Sequence, residues 1–247
     1  MKSRKLNFRL VRYSATFVFL LAVLILAGCA TPTEMALRGD LGELTLRLDR
    51  EESVATQTFA DEMTLLHFAA IGGHVPIARL LLDRGAVVNV KNLYDLTPLY
   101  FAVDMRNREM VEFLLVNGAD LSIGVATTSG ATPLMISVSA SVKDKPVMTP
   151  SATGNLMWVQ TRQLLPPSKA IAQILLNAGA DPNKQTPNGN TSLHLAAFWG
   201  APEVVELLLE NGADPSILNE GGQTAQELAL AHGNDYVAQV IREFRSN

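Results

Sequence analysis

Residues 188–217 read NGNTSLHLAAFWGAPEVVELLLENGADPSI, and this stretch decides the fold. Asn188 and Gly189 open it with a turn, since both tolerate positive φ. Thr191 is placed as an N-cap, its hydroxyl accepting a bond from a backbone N–H that the following helix leaves orphaned. Leu193, Ala196 and Ala197 give that helix an apolar face with a small-residue side, so a neighbour can pack closely. Ala201-Pro202 ends it, and Pro202 suits the first turn of a second helix, where no N–H is needed. Val204, Leu207 and Leu208 recur at i, i+3, i+4, while Glu203, Glu206 and Glu210 take the wet side. Gly212 suits the left-handed position after a helix end. Each predicted helix is under about three turns and marginal alone in water. The unit needs neighbours.

The chain supplies them at fixed spacing. Thr64, Thr97, Thr132, Thr191 and Thr224 open similar segments: TLLHFAA, TPLYFAV, TPLMISV, TSLHLAA and TAQELAL. The intervals are 33, 35, 59 and 33 residues. Gly-Ala pairs follow at 85–86, 118–119, 179–180 and 212–213, each 21 residues after its Thr except the third, at 47. Two independent markers thus keep one phase. The pattern resembles the ankyrin repeat family over about residues 32–247. The resemblance implies an all-α repeat solenoid: an ankyrin stack of about six helix-turn-helix units with β-turn fingers and one long insertion. Residues 35–41 (MALRGDL) look like a degenerate first unit, with Glu43, Arg47 and Arg50 on an open face. Residues 235–247 form the other cap, with Val237, Val240 and Ile241 inward and Arg242, Glu243 and Arg245 outward.

The long third interval defines the insertion. Aligning Thr132 with Thr191 and Gly179 with Gly212 leaves residues 141–166 between the two helices of one unit. Pro146, Pro150, Gly154, Pro166 and Pro167 make its ends irregular. The expectation is a loop, with room for a short strand or helical turn. Loops of this length are uncommon in a compact domain unless they have work to do.

The N-terminus is of another kind. Lys2, Arg4, Lys5, Arg9 and Arg12 precede an uncharged, largely apolar run at 13–27, then Gly28 and Cys29. Fifteen residues are short for a membrane span, which needs about 20. The pattern reads as a secretory signal, and Leu26-Ala27-Gly28-Cys29 resembles the lipobox of bacterial lipoproteins. That resemblance implies a signal peptide at 1–28, a lipidated Cys29, a tether at 29–31 and the repeat domain at 32–247. An ordinary cleaved signal or an uncleaved anchor is the competing reading. Ala30 after the cysteine is similar to the outer-membrane pattern, so the expected location is the bacterial envelope, at the periplasmic face of the outer membrane. From Cys29 onward the chain holds 15 basic and 24 acidic residues, a net charge of −9. That balance argues against a nucleic-acid partner. Cys29 is the single cysteine, so no intrachain disulfide is expected.

No reaction constellation emerges. His67 and His194 occupy the slot where the resemblance implies a loop-tying histidine, His74 sits between helices, and His232 is at a variable inner-helix position. No phosphate loop, nucleophile elbow, metal set or cofactor site is expected, and the chain reads as a binding protein rather than an enzyme. The resemblance implies that partners contact the tips and inner-helix ends, here Leu93-Tyr94, 127–129, Pro187-Asn188, Glu220-Gly221, Ile71-Gly72, Asp104-Met105, Ser139-Ala140, Phe198-Trp199 and Ala231-His232. Phe198 and Trp199 place two large aromatics where the stack needs none, and Leu93 and Tyr94 put apolar bulk at a tip. Met157 and Trp158 in the insertion complete the candidate partner-binding set. Whether Phe198 and Trp199 anchor a partner or pack beneath the insertion stays open at this point. Three functions compete: a lipid-anchored module binding an envelope protein through its concave face and insertion, an inhibitor or immunity protein against a membrane-acting enzyme, and an envelope hydrolase. The last has only Asp144 as an acid within the insertion.

Overall fold

The structure, a computed structural model, describes residues 30–121, 130–139, 141–150 and 156–244, with the two strands given as backbone. Thr31 caps α1 (Pro32–Arg38) through a capping box with Glu34, and α2 (Leu41–Arg50) returns beside it. The pairs α3 (Leu65–Gly72) with α4 (Val75–Asp83) and α5 (Pro98–Asp104) with α6 (Arg108–Val116) follow. Then come α7 (Pro133–Val138) with α8 (Lys169–Asn177), α9 (Ser192–Phe198) with α10 (Pro202–Glu210), and α11 (Ala225–Ala231) with α12 (Asp235–Phe244). Among the described residues this makes six helix pairs. Each inner helix packs on the inner helix of the next unit, and each outer helix on the next outer helix. The result is a one-dimensional stack of stacked helix pairs.

Helices of six to ten residues survive because each seals its neighbour. The core runs the length of the stack: Leu44 and Leu48, then Leu65 and Leu81, Phe101 and Leu114, Leu134 and Leu175, Leu193 and Leu208, Val237 and Ile241. Each such side chain contributes about 1.5–3 kcal/mol by leaving water. The threonines cap as their position requires. Thr97, Thr132, Thr191 and Thr224 each accept a bond from the backbone N–H three residues on.

The expectation of β-turn fingers needs correction. Among the described residues, the connections from outer to inner helices hold turns and no paired strands beyond one isolated Thr58–Thr64 bridge. Side-chain amides take over the pairing that strands would provide: Asn92 Oδ1 accepts from the N–H groups of Tyr94 and Leu96, and Asn219 Oδ1 from those of Gly221 and Gln223. An Asn-centred turn satisfies its own backbone and needs no ladder. The solenoid of stacked helix pairs is all-α as expected, and the strands among the described residues belong to the insertion alone. Within the insertion, β1 (Ser141–Pro150) pairs antiparallel with β2 (Leu156–Leu165) over ten residues. The register sets Val147 opposite Val159, Met148 opposite Trp158 and Asp144 opposite Arg162. β-Branched and aromatic residues on both strands, with opposite charges facing, favour a hairpin over the expected loop.

No helix among the described residues is long and apolar enough to cross a membrane. Residues 1–29, with the signal segment and Cys29, lie outside the described residues, as do 127–129, Ala140 and Arg245.

Candidate functional site

The ends of the inner helices form a row, and α9 carries its most apolar member. The buried face of α9 uses Leu193, Leu195, Ala196 and Ala197. Phe198 and Trp199 come after that face is filled, so the stack has no interior place for them. Trp199 is 37% exposed. Its ring lies edge-on to Phe198 at 5.1 Å, and Phe198 in turn rests against His232 at 4.4 Å. His232, exposed at the end of α11, is anchored by a contact of Nδ1 with the Leu228 carbonyl at 2.9 Å. The three rings form one ledge across two units.

The ledge is held rigidly. Asn234 Nδ2 donates to the carbonyls of both Ala197 and Phe198, at 2.9 Å each. Gly200 turns the chain at φ +65°, and a Cβ there would stand 2.5 Å from Asn234 Oδ1. Beside Phe198 lies a groove of about 160 Å³, floored by Leu195, Phe198 and Leu228 and rimmed by Asn188, Asn190, Asn219, Glu220, Gly221 and Gln223. Asn188 is fixed to the next tip, its carbonyl accepting from the Glu220 N–H at 3.0 Å. Asn219 Nδ2 reaches Asn190 Oδ1 at 3.1 Å. An apolar floor with a rim of amides suits a protruding side chain from a protein partner.

Of the expected partner-binding residues, Asn188 and Phe198 meet in this groove, with Trp199 beside it. Leu93 and Tyr94 are 57% and 38% exposed at an earlier tip, where the Leu93 N–H donates to the Asp61 carbonyl. They do not line the groove. Asp104 and Met105 are half-buried where α5 ends. Asp104 acts on its surroundings: burial, and then its charge, push the Tyr100 hydroxyl well above the ordinary tyrosine range. Met157 and Trp158 stand in β2, opposite Thr149 and Met148.

Two participants were not legible as such. Leu228 repeats the Leu195 position one unit on, but its place in a groove needed the tips above it. Arg106 is the larger omission. It stands nine residues after its threonine, where Gly73, Gly200 and Gly233 stand in other units. All four have left-handed φ, from 60° at Arg106 to 75°. A non-glycine residue there costs about 1 kcal/mol. Its guanidinium is largely desolvated, which lowers its pKa against the opposing charge of Asp104. The clue was the missing glycine.

The histidines in the interior are structural. His67 Nδ1 lies 3.0 Å from the Thr64 N–H and so accepts, which leaves Nε2–H to donate to the Leu96 carbonyl at 3.0 Å. His194 repeats this with Thr191 and Gln223. Burial holds His67 down at about 4 and depresses His194 as well. Among the described residues, no group of three or more His, Cys, Asp or Glu is placed to hold a metal ion.

Comparison with known proteins gives this architecture its class. A family model described as "Ankyrin repeats (3 copies)" matches residues 34–125 and 167–245, more than half of the chain. The chain belongs to the ankyrin repeat family. It is 39% identical over 104 residues to the ankyrin repeat and KH domain-containing protein mask-1 of Caenorhabditis elegans, covering 39% of this chain and 4% of that protein. It is 31% identical over 131 residues to an L-asparaginase of Dirofilaria immitis, covering 53% of this chain and 18% of that protein. The chain therefore spans less than a fifth of these curated relatives. Among solved structures, it superposes on a chain of the complex between the predatory endopeptidase Bd0816 of Bdellovibrio bacteriovorus and the immunity protein Bd3460. That match has a TM-score of 0.70 and 25% identity, and covers 87% of this chain and 98% of the other. The likeness is to the immunity protein, not to the enzyme.

Proposed function

We propose that the protein is an inhibitor of the immunity type, which binds an enzyme and blocks it by occupying its surface. The observation that carries this reading is the likeness to the immunity protein Bd3460, because it runs nearly the full length of both chains. The short matches to mask-1 and the L-asparaginase share only the repeat. The concave groove, the Phe198–Trp199–His232 ledge and the inserted hairpin are the surfaces proposed to engage the enzyme, with Leu93, Tyr94, Asp104, Met105, Met157 and Trp158 as further contacts. Aromatic anchors beside a satisfied polar rim have the usual make-up of an interface hot spot.

The proposal includes a lipid at Cys29 and a place in the bacterial envelope, at the periplasmic face of the outer membrane. The motif supports the lipid, and Ala30 supports the outer membrane. Only Ala30 and Thr31 separate Cys29 from Pro32, where α1 begins, so the tether reaches at most about 11 Å. An enzyme acting at that membrane would be met at its place of work.

The test begins with detergent-solubilised native protein from its own host. The associated protein is identified, and its catalytic rate is measured with and without one equivalent of purified full chain. Near-complete loss of activity at equal stoichiometry is expected, with Trp199→Ala requiring roughly tenfold or more additional chain for the same effect. A stoichiometric partner that is not an enzyme, or an enzyme whose rate is unchanged, would overturn the inhibitor reading.

A further inference from the structure

We infer that Arg106 is the positioning residue of the inserted hairpin: it grips the neck of the insertion and fixes the direction in which the two strands leave the stack. The link from hairpin to partner rests on the inhibitor reading, while the grip itself does not.

Elsewhere in the stack, a side chain ten residues after the capping threonine ties off the inner helix of the preceding unit. His74 Nε2 contacts the Leu37 carbonyl at 2.9 Å. Asn107 Nδ2 donates to Ala70 and Ile71, and Asn234 Nδ2 to Ala197 and Phe198. Around the insertion this device fails. The residue that would close α7 is Ala201, which has no side-chain donor. The one that would close α5 is Ser168, and its hydroxyl already caps α8 by accepting from the Ile171 N–H.

Arg106 fills both gaps. Its Nη1 donates to Val103 at the end of α5, at 3.0 Å, and to Ile136 near the end of α7, at 3.2 Å. Its Nη2 donates to Ser139 at 2.6 Å and to Pro166 at 3.5 Å. Ser139 lies two residues before β1 and Pro166 directly follows β2. One planar guanidinium thus spans both chains of the neck and two inner helices, a geometry that a lysine cannot reproduce. The left-handed backbone at Arg106 is the same turn that glycine makes in other units, so the turn did not require arginine. The four carbonyls account for it. Both strands join the stack through this neck, so the neck is where their direction is set.

The predicted signature separates positioning from general stability. Arg106→Gly keeps the turn and removes only the donors. Hydrogen exchange on the full chain should speed up by roughly tenfold or more in β1 and β2, with α3, α4 and α10 unchanged and the melting temperature equal or higher. Arg106→Lys should loosen the strands likewise. The chain has two tryptophans, so Trp199→Phe leaves Trp158 in β2 as a single reporter. Its anisotropy decay should gain a fast local component when Arg106→Gly is added. Unchanged exchange and anisotropy overturn the proposal. So does faster exchange spread evenly through the stack, which would make Arg106 a general stabiliser. Neither readout needs the partner, so failure here leaves the inhibitor reading standing, and failure of enzyme inhibition leaves the grip standing.

Discussion

His67 shows how a single buried residue links two units and makes the stack sensitive to acid. Its Nδ1 accepts from Thr64 while its Nε2–H donates to Leu96 in the next tip, and its ring lies edge-on to Phe101 at 5.6 Å. Protonating Nδ1 would set a donor against the Thr64 N–H. Burial therefore lowers the folded pKa to about 4, from 6.5. A base whose folded pKa is depressed takes up its proton more readily when unfolded. The stabilisation is complete above pH 6.5 and is lost as pH falls from there to about 4. A shift of that size corresponds to an upper bound on the order of 3 kcal/mol. Urea midpoints should fall steeply between pH 6.5 and 4.5, and His67→Gln should flatten that segment of the curve. A midpoint as steep in the variant would assign the acid sensitivity to other groups. Gly200 makes the second residue-scale case. Gly200→Ala adds a Cβ 2.5 Å from Asn234 Oδ1 and forces a left-handed backbone on alanine. The expected loss is about 2 kcal/mol, read by thermal melting. The intrinsic Trp199 emission should shift too, because Asn234 holds the end of α9.

At the scale of elements, the legible parts were those with a repeating cause. Thr caps, Gly-Ala stops and i, i+3, i+4 leucines recur because every unit solves one packing problem, and the helix pairs follow from them. The inserted hairpin has no counterpart in other units, so no phase revealed it. Its prolines and glycine suggested a loop, while its strand signal depends on a cross-strand register invisible from one strand. The inter-unit turns were misread for a related reason. Asn92 and Asn219 satisfy the backbone by side-chain bonds, which a repeat signature does not distinguish from strand pairing. Phe198 and Trp199 were visible as excess aromatics, but His232 joined them only through stacking between adjacent units. Deleting residues 141–166 joins Ala140 to Pro167 and restores the common 21-residue interval from Thr132 to the next Gly-Ala. Helical circular dichroism should be retained and the melting temperature should move by only a few degrees, since the deletion keeps both helices of the unit and the common repeat phase. Loss of cooperative unfolding would show that the stack depends on them.

At the scale of the molecule, the stack is acidic and its projecting arm is not. The chain from Cys29 onward carries 15 basic and 24 acidic side chains, yet β1 and β2 hold Lys143, Lys145 and Arg162 against Asp144 alone. Removing the arm therefore leaves a body still more negative than the whole. Acidic side chains also stand along the tips, where Glu62 and Glu220 are exposed and Asp95 is half-buried in an ion pair with Lys91. A body of this charge steers a basic partner toward it over about a Debye length, near 10 Å at 0.1 M salt. Steering acts on encounter, whereas the aromatic ledge acts after contact, so the two should separate kinetically. Raising salt from about 20 to 200 mM should slow association with the isolated enzyme by roughly tenfold and change dissociation little. Trp199→Ala should do the reverse, speeding dissociation at every salt concentration. Stopped-flow or surface binding measurements with both proteins read the two rates directly. If salt leaves association unchanged, the partner's binding face is not basic and the charge of the stack serves another end, such as keeping the chain soluble. If Trp199→Ala leaves dissociation unchanged, the ledge lies outside the interface and the hairpin or the earlier tip at Leu93 and Tyr94 must carry the contact.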